Sequence, residues 1–426
     1  MKRLAIVLVA VIALSLRLFN AFFLPWQGGD LIVSDMKGYD RAAMALLEQK
    51  PLSVHTAERY IFHPLGSDTY HPPGYYYFLA GLYAIAGHSY LVVRIAQSLL
   101  GTLTCVGIYF VGRELFDDRA GLLAAALAAA YPPLVFYTGV LLTETLSTFL
   151  LTGATCLLLR YTHARFRYAL LCLAGLFLGC ATITRSILLI TVPFVLLWLL
   201  LVDQRWPGWP AATRHALALM MPVVLLVAPV TFRNYQIHHR FILLSTNGGV
   251  NFFLGHGGTQ RLKNDVRNLP EVIVEGQVVG VSHLTQPEED TRFYQLGWEH
   301  IVNDPLETLG SIPGKLIRMY WDSDYWPASD AQVSIMRRVD WALWKLLLLP
   351  LSVVGIALHD PQKRRRTSMC CLLIASSLTM PLVFWAMPRF RVPMLPCFVV
   401  LAAGTVSRLC CGHKQLNPSN LEALAL

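Results

Sequence analysis

Long apolar runs separated by short basic loops constrain this chain more than any other feature. About 17–25 consecutive apolar residues suffice for a helix to cross the hydrocarbon core of a bilayer. Clear runs of this kind stand at 4–24, 89–112, 119–137, 141–159, 213–232, 341–358, 367–387 and 392–411. The run 168–202 is too long for one crossing and is interrupted by Thr184-Arg185-Ser186. Its flanks, 161–167 and 203–214, are both basic, so the positive-inside rule puts both on the cytoplasmic side. An even number of crossings must lie between them, and two short spans turning at Arg185 on the outer side satisfy that. Of the 426 residues only 14% are charged and 55% are hydrophobic. Soluble domains carry about a quarter charged residues, which argues against a water-soluble enzyme.

The net charge of +9 raises the question of nucleic acid, but the basic residues form no single patch. They sit in the short loops, at Lys2-Arg3, Arg160/Arg165/Arg167, Arg205/Arg214 and Lys363-Arg364-Arg365-Arg366. That distribution marks the cytoplasmic side of a membrane protein, and no nucleic-acid partner is expected. Segment 72–87, rich in tyrosine, is short for a crossing. If it did cross, the later basic loops would move outside; it is therefore read as a helix lying at the interface. The sequence thus predicts an all-α polytopic membrane protein of about ten transmembrane helices with both termini cytoplasmic. Residues 1–426 form one integral-membrane domain, with a first external loop at 25–88, a large external loop at 233–340 and a cytoplasmic tail at 412–426. The first apolar run follows Lys2-Arg3 without a small-x-small cleavage site, so it reads as an uncleaved span. All nine cysteines lie in or beside apolar runs, and no disulfide framework is implied.

Ionisable residues at the edges of spans are costly and are functional candidates by default. Asp35 opens SDMKGYDRAAMALLEQ, whose apolar positions Tyr39, Ala42, Ala43, Leu46 and Leu47 define an amphipathic helix over 36–49. Asp35 and Tyr39 share a face of that helix. The carboxylate reads either as an N-cap or as a catalytic group. Glu144, in GVLLTETLSTFLL, falls in the first turn of a span entering from outside, where the helix dipole favours an acid in any case. Asp35 and Glu144 emerge on the same side. So do Arg185, Arg233, Arg389 and Arg391, each at an outer span end, against the positive-inside trend. A single such arginine would be snorkelling; several point to an anionic ligand, of which phosphate is the natural one.

Other signals are weaker. STNGGVNFFLGHGG (245–258) lacks the Gly-Lys-Ser/Thr ending of a phosphate-binding P-loop; it reads as an irregular external loop in which Asn247 and Asn251 are placed to bond a sugar. His238-His239 with His256 show no metal-ligand spacing. His71 precedes Pro72-Pro73 and caps the interfacial helix.

Together these residues resemble the GT-C superfamily of polyprenyl-phosphate-sugar-dependent glycosyltransferases, in the family 39-like branch that holds protein O-mannosyltransferases and the aminoarabinose transferases of lipid A. The resemblance is carried by Asp35 four before Tyr39, by His71-Pro72-Pro73-Gly74-Tyr75, by RELFDDRAGLLAAALAAAYPP, by LLTETL around Glu144 and by TITRS around Arg185. It continues through PVTFRNY and LLSTNGGVNFFLG (229–255) to PRFRVPMLP (388–396). Family members often follow the aspartate with a glutamate, whereas here Met36 follows, leaving Asp35 alone.

The resemblance implies a GT-C type bundle with interfacial helices in the first external loop. It also implies an inverting transfer from a polyprenyl-phosphate sugar to an acceptor hydroxyl on a glycan, lipid or protein, at the periplasmic face of a bacterial inner membrane. Asp35 and Glu144 would be catalytic, Asp35 as the base. Tyr39, His71, Arg185, Arg233, Asn247, Arg389 and Arg391 would bind substrate, with no metal and no cofactor. Two rivals remain: a lipid-linked sugar flippase or transporter, against which stands the lack of paired repeats, and a ligase using a diphosphate-linked glycan.

Overall fold

The computed structural model describes residues 2–23, 35–50, 64–66, 68–161, 165–202, 209–256, 271–274, 277–280, 284–323, 330–357 and 364–411. The predicted cytoplasmic tail and the smaller part of each of the two long polar segments lie outside these ranges. Apart from one antiparallel hairpin, β1 (Glu271–Val274) and β2 (Gln277–Gly280), the described elements are helical. They run α1 (Lys2–Phe23), α2 (Asp35–Leu47), α3 (Pro73–Ala86), α4 (Tyr90–Leu115), α5 (Asp118–Ala130), α6 (Pro132–Phe136), α7 (Glu144–Tyr161), α8 (Arg167–Thr184), α9 (Thr191–Val202), α10 (Trp209–His238) and α11 (Gly248–His256). The C-terminal part adds α12 (Gln286–Asn303), α13 (Pro305–Trp321), α14 (Asp330–Ala342), α15 (Leu349–Ala357), α16 (Arg364–Val383) and α17 (Leu395–Cys411). A π-helical stretch, Leu343–Leu348, joins α14 to α15, and a 3-10 segment, Pro388–Met394, precedes α17.

Among the described residues, seven helical stretches are long and apolar enough to cross a membrane: Lys2–Phe23, Tyr90–Leu115, Arg167–Thr184, Ala212–His238, Val333–Ala357, Arg366–Val383 and Pro388–Cys410. The other three predicted crossings coincide with helices that fall short of that standard. The run 119–137 is not one helix: Pro132 and Pro133 break it into α5 and α6, because proline removes a backbone donor and clashes with the preceding turn. The run 141–159 supplies α7, which begins only at Glu144. The run after Arg185 supplies a 3-10 turn, Ser186–Ile190, and then α9. The predicted break at Arg185 is present: this residue is extended (φ −148°, ψ 102°) and ends α8. Thereafter α8 packs on α7 and α10, while α9 packs mainly on α16.

A break between α5 and α6 frees backbone carbonyls that lipid cannot satisfy. Arg17 of α1 meets them. Its Nη1 donates to Ala129 O (3.1 Å) and its Nη2 to Ala128 O (3.2 Å), placing a cation at the negative end of the α5 dipole. Asn20 Nδ2 donates to Val135 O at 2.8 Å. Arg17 is 1% exposed. Arg17→Met is therefore expected to destabilise the fold by about 1–3 kcal/mol for each carbonyl left unpaired, read as a lower unfolding temperature in detergent.

Helix α2 starts at Asp35 and buries Met36, Tyr39, Ala42 and Ala43, the face its apolar pattern predicts, while Leu47 remains 39% exposed. It packs on α3. With 14 residues, α3 is about 21 Å long, too short for the roughly 30 Å hydrocarbon core, in keeping with an interfacial position.

Candidate active site

Four local features bring charged side chains to one place: the first turn of α2, the first turn of α7, the extended break after α8 and the 3-10 segment before α17. Arg389 Nη2, in that segment, donates to Asp35 Oδ2 at 3.1 Å, and the two side chains are 17% and 31% exposed. Arg185 Nη1 donates to Glu144 Oε1 at 2.8 Å and to Thr143 Oγ1 at 3.3 Å. Phe390 connects the two ion pairs. The Cζ atoms of Arg185 and Arg389 lie 5.0 and 5.5 Å from its ring centroid, within cation–π range. Glu144 is 1% exposed, and its Oε2 is buried without a hydrogen-bond partner among the described residues.

The loop before α3 closes the site from another side. Asp68 Oδ1 accepts from the backbone N–H of Tyr70 (2.9 Å) and of His71 (3.3 Å), and Asp68 Oδ2 stands 2.9 Å from His71 Nδ1. The imidazole then lies against Tyr39, ring centroids 4.5 Å apart. Two glycines make these approaches possible. A Cβ on Gly38 would lie 2.5 Å from His71 Cε1, and one on Gly74 would lie 2.7 Å from Thr184 N, at the end of α8. The motif His71-Pro72-Pro73-Gly74 thus fits its glycine against the turn that carries Arg185.

Electrostatics follow from this packing. Burial pushes the Asp35 carboxyl up, but Arg389, His71 and Arg185 outweigh it and hold the group below its ordinary 3.8. Asp35 is therefore ionised at neutral pH. Burial also raises the Tyr39 phenol, reinforced by Asp35 and Glu144, so that residue stays protonated. Burial pushes His71 down, yet the charge and hydrogen bond of Asp68, with Asp35 behind them, raise it above 6.5. Asp68, pushed up by burial, is brought below 3.8 by His71 and by Arg233.

The signs fix a stability window. The Asp68 contribution is present above pH 3.8 and lost as pH falls through its lower folded value; that of His71 is present below pH 6.5 and lost as pH rises through its higher folded value. Unfolding temperature is expected to decline on the alkaline side of this window, and Asp68→Asn is expected to flatten that decline. A pH series of melting curves on both proteins checks it.

The remaining sequence-selected residues divide. Asn247 Oδ1 accepts from Ser245 Oγ (3.0 Å), which also contacts Ser186 Oγ (3.3 Å), so the 245–247 loop reaches the residue after Arg185. Arg233 stands behind the cluster, linked to Asp68 through Tyr76, whose hydroxyl donates to Asp68 O at 3.4 Å. Fully buried, it donates to Tyr76 Oη, to Asn234 Oδ1 and to Leu65 O. Arg391 is taken up elsewhere: its Nη1 donates to Met319 O (2.9 Å) and Asp322 O (2.8 Å), and its Nη2 lies 3.6 Å from Asp340 Oδ2. Two positions on in a helix of three residues per turn, it points away from the side of Arg389. His238 contacts Thr69 Oγ1 (2.7 Å) and His256 the carbonyl of Phe252 (3.0 Å). Sequence reasoning missed Asp68 and Phe390. For Asp68 the available signal was that of an Asx turn, a short acid two residues before Tyr70, which marks a turn and not the partner of His71; Phe390 had none beyond lying between two arginines.

Chemically, the site holds an ionised, partly exposed carboxylate beside two guanidinium groups. One can accept a proton while the others stabilise a developing anion.

Residues 70–232 match the family described as dolichyl-phosphate-mannose-protein mannosyltransferase. No curated protein matches the chain in sequence. Among solved structures, the oligosaccharyltransferase of Archaeoglobus fulgidus in the apo form superposes with a TM-score of 0.59 at 15% identity, covering 98% of this chain and 52% of its own. The ArnT of Cupriavidus metallidurans bound to undecaprenyl phosphate superposes with a TM-score of 0.53 at 15% identity, covering 94% of this chain and 60% of its own. The chain thus spans about half the length of the oligosaccharyltransferase it matches. Apolar helices of membrane length, together with this likeness, make it an integral membrane protein. It shares its fold with these membrane enzymes, and over residues 70–232 it is similar to the mannosyltransferase family that its motifs resemble.

Proposed function

We propose that the protein is an inverting glycosyltransferase that moves a single sugar, a hexose or a pentose, from a polyprenyl phosphate to an acceptor hydroxyl. The observation that carries this reading is the contact of Asp35 with Arg389, beside the Arg185–Glu144 pair. Asp35 takes the proton of the acceptor hydroxyl as its oxygen attacks the anomeric carbon. The bond from that carbon to the phosphate oxygen breaks, and the polyprenyl phosphate leaves with the electron pair. A phosphate needs cations more than a proton to depart, and Arg185 and Arg389 supply them. Glu144 holds Arg185 in place, Tyr39 and His71 line the carboxylate, and Asn247 contributes from the large loop. No step calls for a metal or a nucleotide.

This reading puts segments 25–88 and 233–340 on the outer, periplasmic side of a bacterial inner membrane and the tail 412–426 inside. The match to a mannosyltransferase family and the undecaprenyl phosphate named for the ArnT complex support a lipid-phosphate donor. The acceptor is a glycan, a lipid or a protein. The test is mass spectrometry of products after incubating the reconstituted protein with defined polyprenyl-phosphate sugars and envelope extracts. A sugar mass added to one acceptor class is expected. Transport of the donor across the bilayer with no product formed overturns the reading.

A further inference from the structure

We propose that α13, with the end of α12, lies on the outer leaflet of the membrane and acts as a lipid-seated strut for the segment that carries Arg389. The two faces of α13 differ. On one, Lys315 and Met319 are buried (5% and 0% exposed), and Lys315 Nζ donates to Gly255 O at 2.8 Å. This helix packs against α16 and the 3-10 segment. On the other face Leu306, Leu309, Ile317 and Trp321 are 81%, 61%, 58% and 49% exposed, and at 3.6 residues per turn they fall within an arc of about 120°. Trp298 and Val302, at the end of α12, are each 62% exposed. Single exposed apolar residues are ordinary; four along one face of a helix, with two more at the end of the helix before it, mark an interaction surface.

Three observations identify the occupant as lipid. First, α13 packs on α16, itself one of the membrane-length helices, so it runs beside the bilayer. Second, Lys345, near the start of the apolar run 341–358, places its Nζ 4.4 Å from the ring centroid of Trp321 and 4.6 Å from that of Trp341. A lysine bracketed by tryptophans is the arrangement of a membrane–water boundary, where aromatic rings sit among headgroups and lysines snorkel towards them. Third, the apolar run that Lys345 opens turns its own residues outward, such as Leu346 (63% exposed) and Val353 (57%). At the margin of the stripe stand Glu307 and Arg318, roughly 100° and 120° around the helix from Leu306, where a half-sunken amphipathic helix keeps its charges.

The seat is tied to the site. Arg391, two residues after Arg389, caps the end of α13 through the carbonyls of Met319 and Asp322. The height of α13 in the headgroup layer thereby sets the height of the 3-10 segment, independently of which reaction the site performs.

The test needs no turnover. A nitroxide amino acid is installed at position 306, 309, 317 or 307 of the full chain in proteoliposomes, leaving the native cysteines untouched. All four positions are exposed, so the label leaves the core intact. Power saturation then compares oxygen, which concentrates in lipid, with a water-soluble nickel chelate. Positions 306, 309 and 317 are expected to favour oxygen over nickel several-fold more than position 307 does. Equal nickel access at all four positions overturns the proposal. So does dipolar broadening at the stripe, which would mean that a second copy of the chain covers it.

Discussion

Asp35→Asn is expected to lower sugar transfer by about two to four orders of magnitude, the range associated with a positioned general base, while leaving the protein folded and inserted. The structure supports a clean separation of the two effects. Asp35 lies at the first turn of α2 and is 31% exposed, so the change leaves the buried face of Met36, Tyr39, Ala42 and Ala43 intact. An asparagine side chain keeps an oxygen for Arg389 but gives up the charge and nearly all the basicity. Purified wild type and variant are compared by melting temperature and by turnover of a polyprenyl-phosphate sugar. Turnover within a few-fold of wild type in a folded Asp35→Asn protein removes this carboxylate from the mechanism.

Arg389→Ala carries the second large effect, and its signature lies in the pH profile as well as in the rate. Removing a preorganised cation from a developing oxyanion typically costs about 10²–10³ in rate. Here the cation has a second task. Burial alone pushes Asp35 up, and Arg389 is the foremost group holding it below 3.8. Without that guanidinium the acid limb of the activity profile is expected to move to higher pH, since the base protonates sooner as pH falls. Arg391→Ala supplies the contrast. It removes the cap on α13 rather than a cation beside Asp35, so it is expected to lower melting temperature while leaving the acid limb in place. Equal shifts of the acid limb in both variants contradict this division.

How far the site was legible can be judged residue by residue. Asp35, Glu144, Arg185 and Arg389 stand out because each is an ionisable group at the edge of an apolar run, a placement whose desolvation cost demands a reason. The same argument selects Arg233 and Arg391, whose hydrogen bonds run to carbonyls and amide oxygens within the fold, with Arg233 also standing behind Asp68 through Tyr76. Charge placement alone does not distinguish an arginine aimed at a ligand from one aimed at a carbonyl, because the cost of burial is the same and the partner lies far away in sequence. Asp68 escaped notice because its importance comes from His71 and Tyr39, and nothing in a polar loop marks which carboxylate an imidazole will choose.

Patterns that repeat along the chain needed no tertiary information. Apolar runs set the membrane-length helices, basic loops set the expected sidedness, and the amphipathic period of α2 set its buried face; each rests on the preference of side chains for lipid, protein or water over one or two helical turns. Only the folded chain decided which charges meet. The Asp35–Arg389 pair joins residues 354 positions apart, and Phe390 links it to the Arg185–Glu144 pair. Such contacts depend on how helices pack, on glycines that admit a neighbouring backbone and on proline breaks that turn a run into two pieces. A sequence states the cost of placing a charge at the edge of a membrane, and the three-dimensional arrangement supplies the partner that offsets it.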